Sequence, residues 1–175
     1  TARLYTDYSL LSSDPVLGED VHLVFQQLTS MGKTERLSKV LHAPFTLRRQ
    51  LVKMIDNEAK VQRDGGEGRI ILKCNGLTEI KVIQALLKAS QAGVKIDLII
   101  RGMCCLRPGI AGVSENIRVH SIIGRFLEHT RAYYFANSEP HVFCASADLT
   151  GMPSSRFPSG STPSILLTVS ETRSA

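Results

Sequence analysis

Residues 69–100 read RIILKCNGLTEIKVIQALLKASQAGVKIDLII. Arg69 to Asn75 is a short apolar run, too short for a helix of ordinary length and rich in β-branched and aliphatic side chains, so it reads as a buried strand. Thr78 supplies a helix-capping oxygen, and Ile80, Ile83, Leu86 and Leu87 recur at helical spacing behind it. Gly93 stops that helix. Val94 to Ile100 is a second apolar strand. Strand, helix and strand joined by short links form a right-handed crossover, which makes the two strands parallel. Both strands end in polar groups: Lys73 and Asn75 on the first, Arg101 and Gly102 on the second. Open α/β sheets bind ligands at the carboxyl ends of such strands.

On the amino-terminal side, Leu4 to Tyr8 alternates like a strand. Asp14-Pro15 is a helix start, with an acceptor at the cap and proline at the first helical position. Val21, Val24, Phe25 and Leu28 form its apolar stripe. Ser30 to Ser38 reads as a polar loop and Lys39 to Ala43 as a short strand. Thr46 is placed to cap a second helix with Leu47, Leu51, Met54 and Ile55 inward, ended by Gly65-Gly66. On the carboxyl side, RGMCCLRPGIAG (101–112) reads as an ordered loop. Ile117 to Ile123 reads as a strand and RFLEHTR (125–131) as a polar patch. Ala132 to Ala136 and His141 to Ala145 form a hairpin around Asn137-Ser138. After Asp148 the segment GMPSSRFPSGSTPS has no apolar period and reads as flexible. The following ILLTVS becomes a strand only if another strand pairs with it.

The chain has 175 residues, 43% hydrophobic and 21% charged, which suits one globular domain rather than a disordered segment. No apolar run approaches the roughly 18 residues of a membrane-spanning helix. TARLYTDYSL lacks the pattern of a secretory signal; because it begins without Met, the chain reads as a fragment or a processed product. A net charge of +5 favours anionic partners without choosing among them. The four cysteines, Cys74, Cys104, Cys105 and Cys144, form no CxxC pair, so they read as small core residues in a reducing compartment rather than as zinc ligands.

The sequence contains no GxxxxGK[ST], GxGxxG, GxSxG, HExxH or kinase catalytic loop. Phosphate handling therefore needs other devices. Of five histidines, His22 reads as solvated and His42 as structural, while His120 and His141 lack an adjacent cue. His129 differs, because Glu128 precedes it and Arg131 follows at i+2. On an extended segment His129 and Arg131 point to the same side. A guanidinium spreads over phosphate oxygens, and an imidazole transfers a proton or accepts a phosphoryl group.

The strings TARLYTDYSLL, KVLHAPFTLRRQL, GVKIDLIIRG, CCLRPG, SENIRV and GRFLEHTR, followed by SAD, resemble polyphosphate kinases of the long, histidine-dependent bacterial type from Thr1 to about Asp148. The resemblance implies a phospholipase-D-like α/β fold, a mixed sheet flanked by helices. Residues 1–148 would be the second of two facing catalytic domains, incomplete here, and residues 149–175 a divergent, flexible tail. It implies reversible transfer of the terminal phosphate of ATP to polyphosphate through a phosphohistidine carried by the first catalytic domain, which has no counterpart in this chain. Tyr5, Arg101 and His129 match nucleotide-contacting positions of the family, and His129 its second active-site histidine. Lys73, from its place at a strand end, and Arg131 are further candidate phosphate ligands. Tyr5 suits stacking on adenine, and Arg101 suits a developing phosphoryl charge.

The family implies Mg²⁺ with ATP, although no protein metal cluster is visible in the sequence. It also implies ATP or ADP and polyphosphate as partners, a homo-oligomer, no specific nucleic acid, and a cytoplasmic or membrane-peripheral setting. The phospholipase pattern HxKx4D survives only as His129-Thr130-Arg131, with Ala136 where Asp would fall, which argues against lipid hydrolysis. The stretch after Asp148 departs from the family's usual continuation and reads as an aberrant or truncated end. A charge-driven anion or nucleic-acid binding module is the alternative, and it would show steep salt dependence.

Overall fold

The computed structural model describes residues 4–29, 37–43 and 46–150, and the backbone of a strand at residues 165–169. In chain order the elements are β1 (Tyr5–Thr6), α1 (Pro15–Leu28), β2 (Val40–His42), α2 (Leu47–Arg63), β3 (Arg69–Cys74), α3 (Ile80–Gln91), β4 (Lys95–Ile100), β5 (Ile117–His120), β6 (Leu127–Glu128), β7 (Arg131–Phe135), β8 (Val142–Ala145) and β9 (Ile165–Val169). Seven strands form one mixed sheet in the order β2-β9-β8-β7-β3-β4-β5, and β1 and β6 form a separate parallel pair.

The crossover at residues 69–100 is as the spacing predicts: β3 and β4 are parallel, with Arg69 opposite Lys95 and Cys74 opposite Ile100. Alternation decides which face is covered. Ile70, Leu72, Cys74, Ile96, Leu98 and Ile100 are buried beneath α2 and α3, while Ile71, Lys73, Asp97 and Ile99 on the other face are only partly covered. Twenty-three buried residues among those described make this core, and the aromatic rings of Phe135 and Phe143 meet edge-on within it. A smaller cluster, Leu17, Val24 and Val40, ties α1 to β2.

Several local expectations shift. Asp14 does cap α1, accepting from the Val16 and Leu17 amides. Phe25 and Leu28 are exposed, so the buried edge of α1 is Leu17, Asp20 and Val24. Thr46 makes no side-chain cap for α2; its hydroxyl accepts instead from the His42 amide, 3.1 Å away. The side-chain cap of α3 is Glu79, not Thr78, whose amide donates to the Leu149 carbonyl. The α3 stripe is rotated accordingly. Ile80 is 66% exposed, and Val82, Ala85, Leu86 and Ala89 face inward against α2. β5 stops at His120. The β7–β8 hairpin pairs antiparallel as predicted, and β7 runs antiparallel to β3.

Past Asp148, Leu149 is buried in the core and bridges Leu77, so the folded unit continues through it. The conditional strand finds its partners: β9 pairs antiparallel with both β2 and β8. The expectations for residues 30–36, 151–164 and 170–175 fall outside the described residues.

Candidate functional site

The carboxyl ends of β3 and β4 and the first residue of β7 meet at one edge of the sheet. β7 runs against β3, so Arg131 enters beside the last residues of β3, and β4 lies on the other side of β3. Two interstrand spacings separate the Arg131 and Arg101 backbones, roughly 10 Å. The turn after β4 is held close: the Arg101 and Gly102 amides donate to the Cys74 and Asn75 carbonyls at 3.3 and 2.8 Å. A Cβ on residue 102 would lie 2.9 Å from the Asn75 carbonyl oxygen, so glycine is what allows this approach.

His129 is held from several sides. Its amide donates to the Thr6 carbonyl. Its Nδ1 lies 3.1 Å from the Asp7 carboxylate, and Nε2 lies 3.5 Å from Arg131 Nη1. The Tyr5 ring meets the imidazole edge-on, with centroids 5.0 Å apart. Strand β1, parallel to β6 with Tyr5 opposite Leu127 and Thr6 opposite Glu128, brings Tyr5 and Asp7 to this place.

Arg131 is 9% exposed. Its Nε and Nη2 donate to the two oxygens of Asp148 at 3.1 and 2.8 Å, and Nη1 donates to the His129 carbonyl at 3.0 Å. The Asn75 amide oxygen accepts from Nη2 as well, while its nitrogen donates to the Glu128 carbonyl at 3.2 Å. A guanidinium has five N–H groups, and with the His129 Nε2 contact all five are engaged. Asp148 also accepts from the Asn75 amide at 2.9 Å. Burial by itself pushes the Asp148 carboxyl up, but hydrogen bonds from Arg131 and the Asn75 amide outweigh it and hold the group below the usual aspartate range. The same hydrogen bonds to Asp148 raise the Arg131 pKa against the opposing effect of burial.

Lys73 donates to Glu128 at 2.8 Å and to the Thr130 hydroxyl. That hydrogen bond holds the Glu128 carboxyl below its ordinary range. Two of the three ammonium donors are therefore committed inside the protein. Arg101 is the opposite case. Its Nη1 is buried and has no hydrogen-bond partner among the described residues. A buried guanidinium nitrogen left open is costly unless an acceptor arrives.

Of the residues predicted from sequence, the fold thus brings Tyr5, His129 and Arg131 into contact and puts Lys73 and Arg101 at the adjoining strand ends. Lys73 and Arg131, expected to face phosphate, instead spend most or all of their donors on Glu128, Thr130, Asp148 and His129. Asp7 was missed, and no local motif marks it; Asn75 was noted only as a polar group at a strand end, without its partners. Asp148 stands in the SAD triplet but carried no predicted chemistry. Cys74 is buried and its thiol is pushed up to about 12, chiefly by burial, which makes it an inert core group. His42 is buried, and burial lowers its pKa, in keeping with a structural place. A cleft of about 330 Å³ opens on the far side of the Arg131–Asp148 pair, between the first turns of α2 and α3; Tyr5, Arg101 and His129 do not line it. No group of three or more His, Cys, Asp or Glu side chains is placed to hold a metal ion among the described residues.

Basic and imidazole side chains gathered at the carboxyl ends of parallel strands define an α/β domain suited to an anionic ligand. The chain belongs to the polyphosphate kinase family. Residues 40–153 match the sequence model described as polyphosphate kinase C-terminal domain 2. Over 148 residues the chain is 62% identical to a polyphosphate kinase of Pseudomonas putida and 61% identical to one of Pseudomonas aeruginosa; each match covers 84% of this chain. The matched span is 20% and 21% of those proteins, so this chain spans about a fifth of their length. The crystal structure of polyphosphate kinase from Porphyromonas gingivalis superposes on 98% of this chain with a TM-score of 0.85 and 33% identity, and the chain covers 26% of it.

Proposed function

We propose that this chain supplies the nucleotide half-site of an ATP–polyphosphate phosphotransferase. In this reading the terminal phosphate of ATP passes to polyphosphate, reversibly, through a phosphohistidine on the family's first catalytic domain. Tyr5 stacks on the adenine, Arg101 binds the phosphates, and His129 donates or accepts the proton at the transferring group. The observation that carries this is the open, buried Nη1 of Arg101 at the strand end next to the Tyr5–His129–Arg131 cluster. Family membership and the match to a polyphosphate kinase structure support it.

Mg²⁺ enters this reading with the nucleotide. The carboxylates nearest the site, Asp148, Glu128 and Asp7, already face Arg131, Lys73 and His129, so these described side chains offer no cage, and phosphate oxygens would supply the ligands. Lys73 and Arg131 shape the site rather than grip phosphate. A homo-oligomeric assembly and a cytoplasmic or membrane-peripheral setting belong to the same reading, from the family resemblance. Among the described residues no helix is long and apolar enough to cross a membrane.

The test is titration of ATP–Mg²⁺ into the chain and its Arg101→Ala variant at two salt concentrations. Loss of one charge-assisted contact predicts about tenfold weaker binding or more. Binding that is unchanged in Arg101→Ala, falls steeply with salt and does not prefer ATP over single-stranded nucleic acid would favour charge-driven association instead. Incubation with γ-labelled ATP should leave the isolated chain without acid-labile phosphate and without polyphosphate synthesis. Stoichiometric phosphohistidine on His129 would overturn the division of labour.

A further inference from the structure

We infer that the gap between β2 and β8 is a strand-acceptor slot, and that residues 165–169 of a second copy of this chain fill it as the chain's own do. Strand β9 is the one strand partner of β2 among the described residues, and it pairs with β8 on its other side. Its register is fixed twice over: Leu166 lies opposite Leu41 and Ala145, and Leu167 opposite Val40 and Cys144. Leu41 and Ala145 pack against the main core, whereas Val40 belongs to the small cluster with Leu17 and Val24. The slot thus has apolar neighbours on both faces of the sheet. A strand covered on both faces reads as a continuous apolar run rather than an alternating one. ILLTV (165–169) is such a run, and no charged residue stands between Arg156 and Glu171 to guard it against another copy.

The walls of the slot are held by contacts that do not involve β9. Asp20 of α1 accepts from the Ser38, Lys39 and Val40 amides, and the Thr46 hydroxyl at the start of α2 accepts from the His42 amide. Both ends of β2 are therefore tied to helices. β8 is held by its hairpin with β7. Without β9, these two walls present unpaired edges, and open edges pair with neighbouring molecules. A backbone ladder does not distinguish which chain supplies the strand. Fourteen residues, 151–164, separate Thr150 from Ile165. Fully extended they reach about 50 Å, roughly three times the radius of gyration expected for a chain of this length. That reach lets the strand arrive in another copy. Exchange of an identical element between copies needs no new contact, so only the effective concentration set by the covalent link favours the chain's own slot.

The experiment is disulfide trapping in the full 175-residue chain. Antiparallel partners lie about 4.5–5.5 Å apart at Cα, within the reach of a disulfide, so Leu167→Cys faces the native Cys144. One copy carries Leu167→Cys and Cys144→Ser, and the other keeps Leu167 and Cys144. Both carry Cys105→Ser, which removes the exposed thiol. The two are unfolded in urea, refolded together, oxidised with glutathione disulfide and resolved on a non-reducing gel. The expected result is a covalent dimer that vanishes when both copies carry Cys144→Ser. Tenfold dilution before refolding should lower its yield about tenfold, because exchange between copies competes with a link of fixed effective concentration. A single chain with Leu167→Cys and Cys144 should close on itself and lose two free thiols. Absence of that closure means that β9 is not in the slot and overturns the inference. Closure within one chain, with no Cys144-dependent dimer at any concentration up to about 1 mM, overturns it too, because the slot then admits only its own strand. If Leu167→Cys prevents folding, Val142→Cys and Val169→Cys on separate copies give the same reading at the other end of the ladder.

Discussion

The two ends of β3 each carry a carboxylate, used in different ways. At the start of the strand, Glu58 of α2 is fully buried and accepts from the Arg69 amide at 3.0 Å and from the Asn137 amide and side chain at 2.6 and 2.7 Å. Every one of these donors is neutral. Together they pin the strand entry and the β7–β8 hairpin to α2. At the far end, Asp148 accepts from the Asn75 amide but spends its two oxygens mainly on the Arg131 guanidinium. Arg131 reaches onward to His129. A carboxylate ringed by backbone and amide N–H groups holds the fold; a carboxylate paired with a guanidinium aims that cation. Asp20 belongs with Glu58, since it accepts from the Ser38, Lys39 and Val40 amides.

The comparison can be broken most directly at Glu58. Glu58→Ala empties a fully buried carboxylate site, takes the acceptor from the part-buried Arg69 and Asn137 amides, and should cost about 2 kcal/mol or more in urea unfolding. The His129 resonances of the folded fraction should not change. Asp148→Ala leaves a 9%-exposed guanidinium without its counter-charge, and the expected cost is about 2 kcal/mol, since water still reaches part of the pair. Here the His129 resonances should shift as well. If both variants moved His129 equally, the division between holding and aiming would be lost.

A pH series sharpens the same point. The folded-state pKa of Asp148 is depressed. Its contribution is therefore fully present above the ordinary aspartate value of about 3.9, and it is lost as pH falls through the folded value. Urea midpoints of Asp148→Asn should consequently fall less steeply below about pH 4 than those of the unaltered chain. Equal slopes would mean that the Arg131 pair contributes nothing measurable. The smallest effect is expected at Lys73. Its pair with Glu128 is only partly buried, so Lys73→Met should change stability by about 1 kcal/mol or less, as seen in urea midpoints.

The crossover at 69–100 was legible because its signals are local: two apolar strands, helical spacing and a terminal glycine with φ +95°. The helix faces were less so. Ile80 looks inward by spacing, yet the buried side of α3 uses Ala85 and Ala89, small residues that let α3 lie against α2. Spacing alone cannot weigh that close approach against side-chain hydrophobicity. The side-chain cap moved from Thr78 to Glu79 for a similar reason: the Thr78 amide is taken by Leu149, seventy-one residues along. At the site, the shared face of His129 and Arg131 follows from a two-residue period and was readable. The partner of each was not. Asp7 lies 122 residues from His129, and Asp148 is joined to Arg131 only through the β7–β8 hairpin. Arg131 read as a candidate phosphate ligand because it shares a face with His129 and a guanidinium suits phosphate oxygens.

The short pairing of β1 with β6 has a kinetic meaning. Tyr5 and Asp7 reach His129 only after the sheet that carries β7 has formed around β3, because that sheet fixes where residues 127–131 lie. Closing a loop of 122 residues costs chain entropy that local contacts cannot repay early. The cluster is therefore expected to assemble late as the chain folds, which pulsed hydrogen exchange at the His129 amide would check. Its completion certifies that the amino-terminal segment has found the β6–β7 region of the sheet, so a partly folded chain presents no finished site for an anion to occupy.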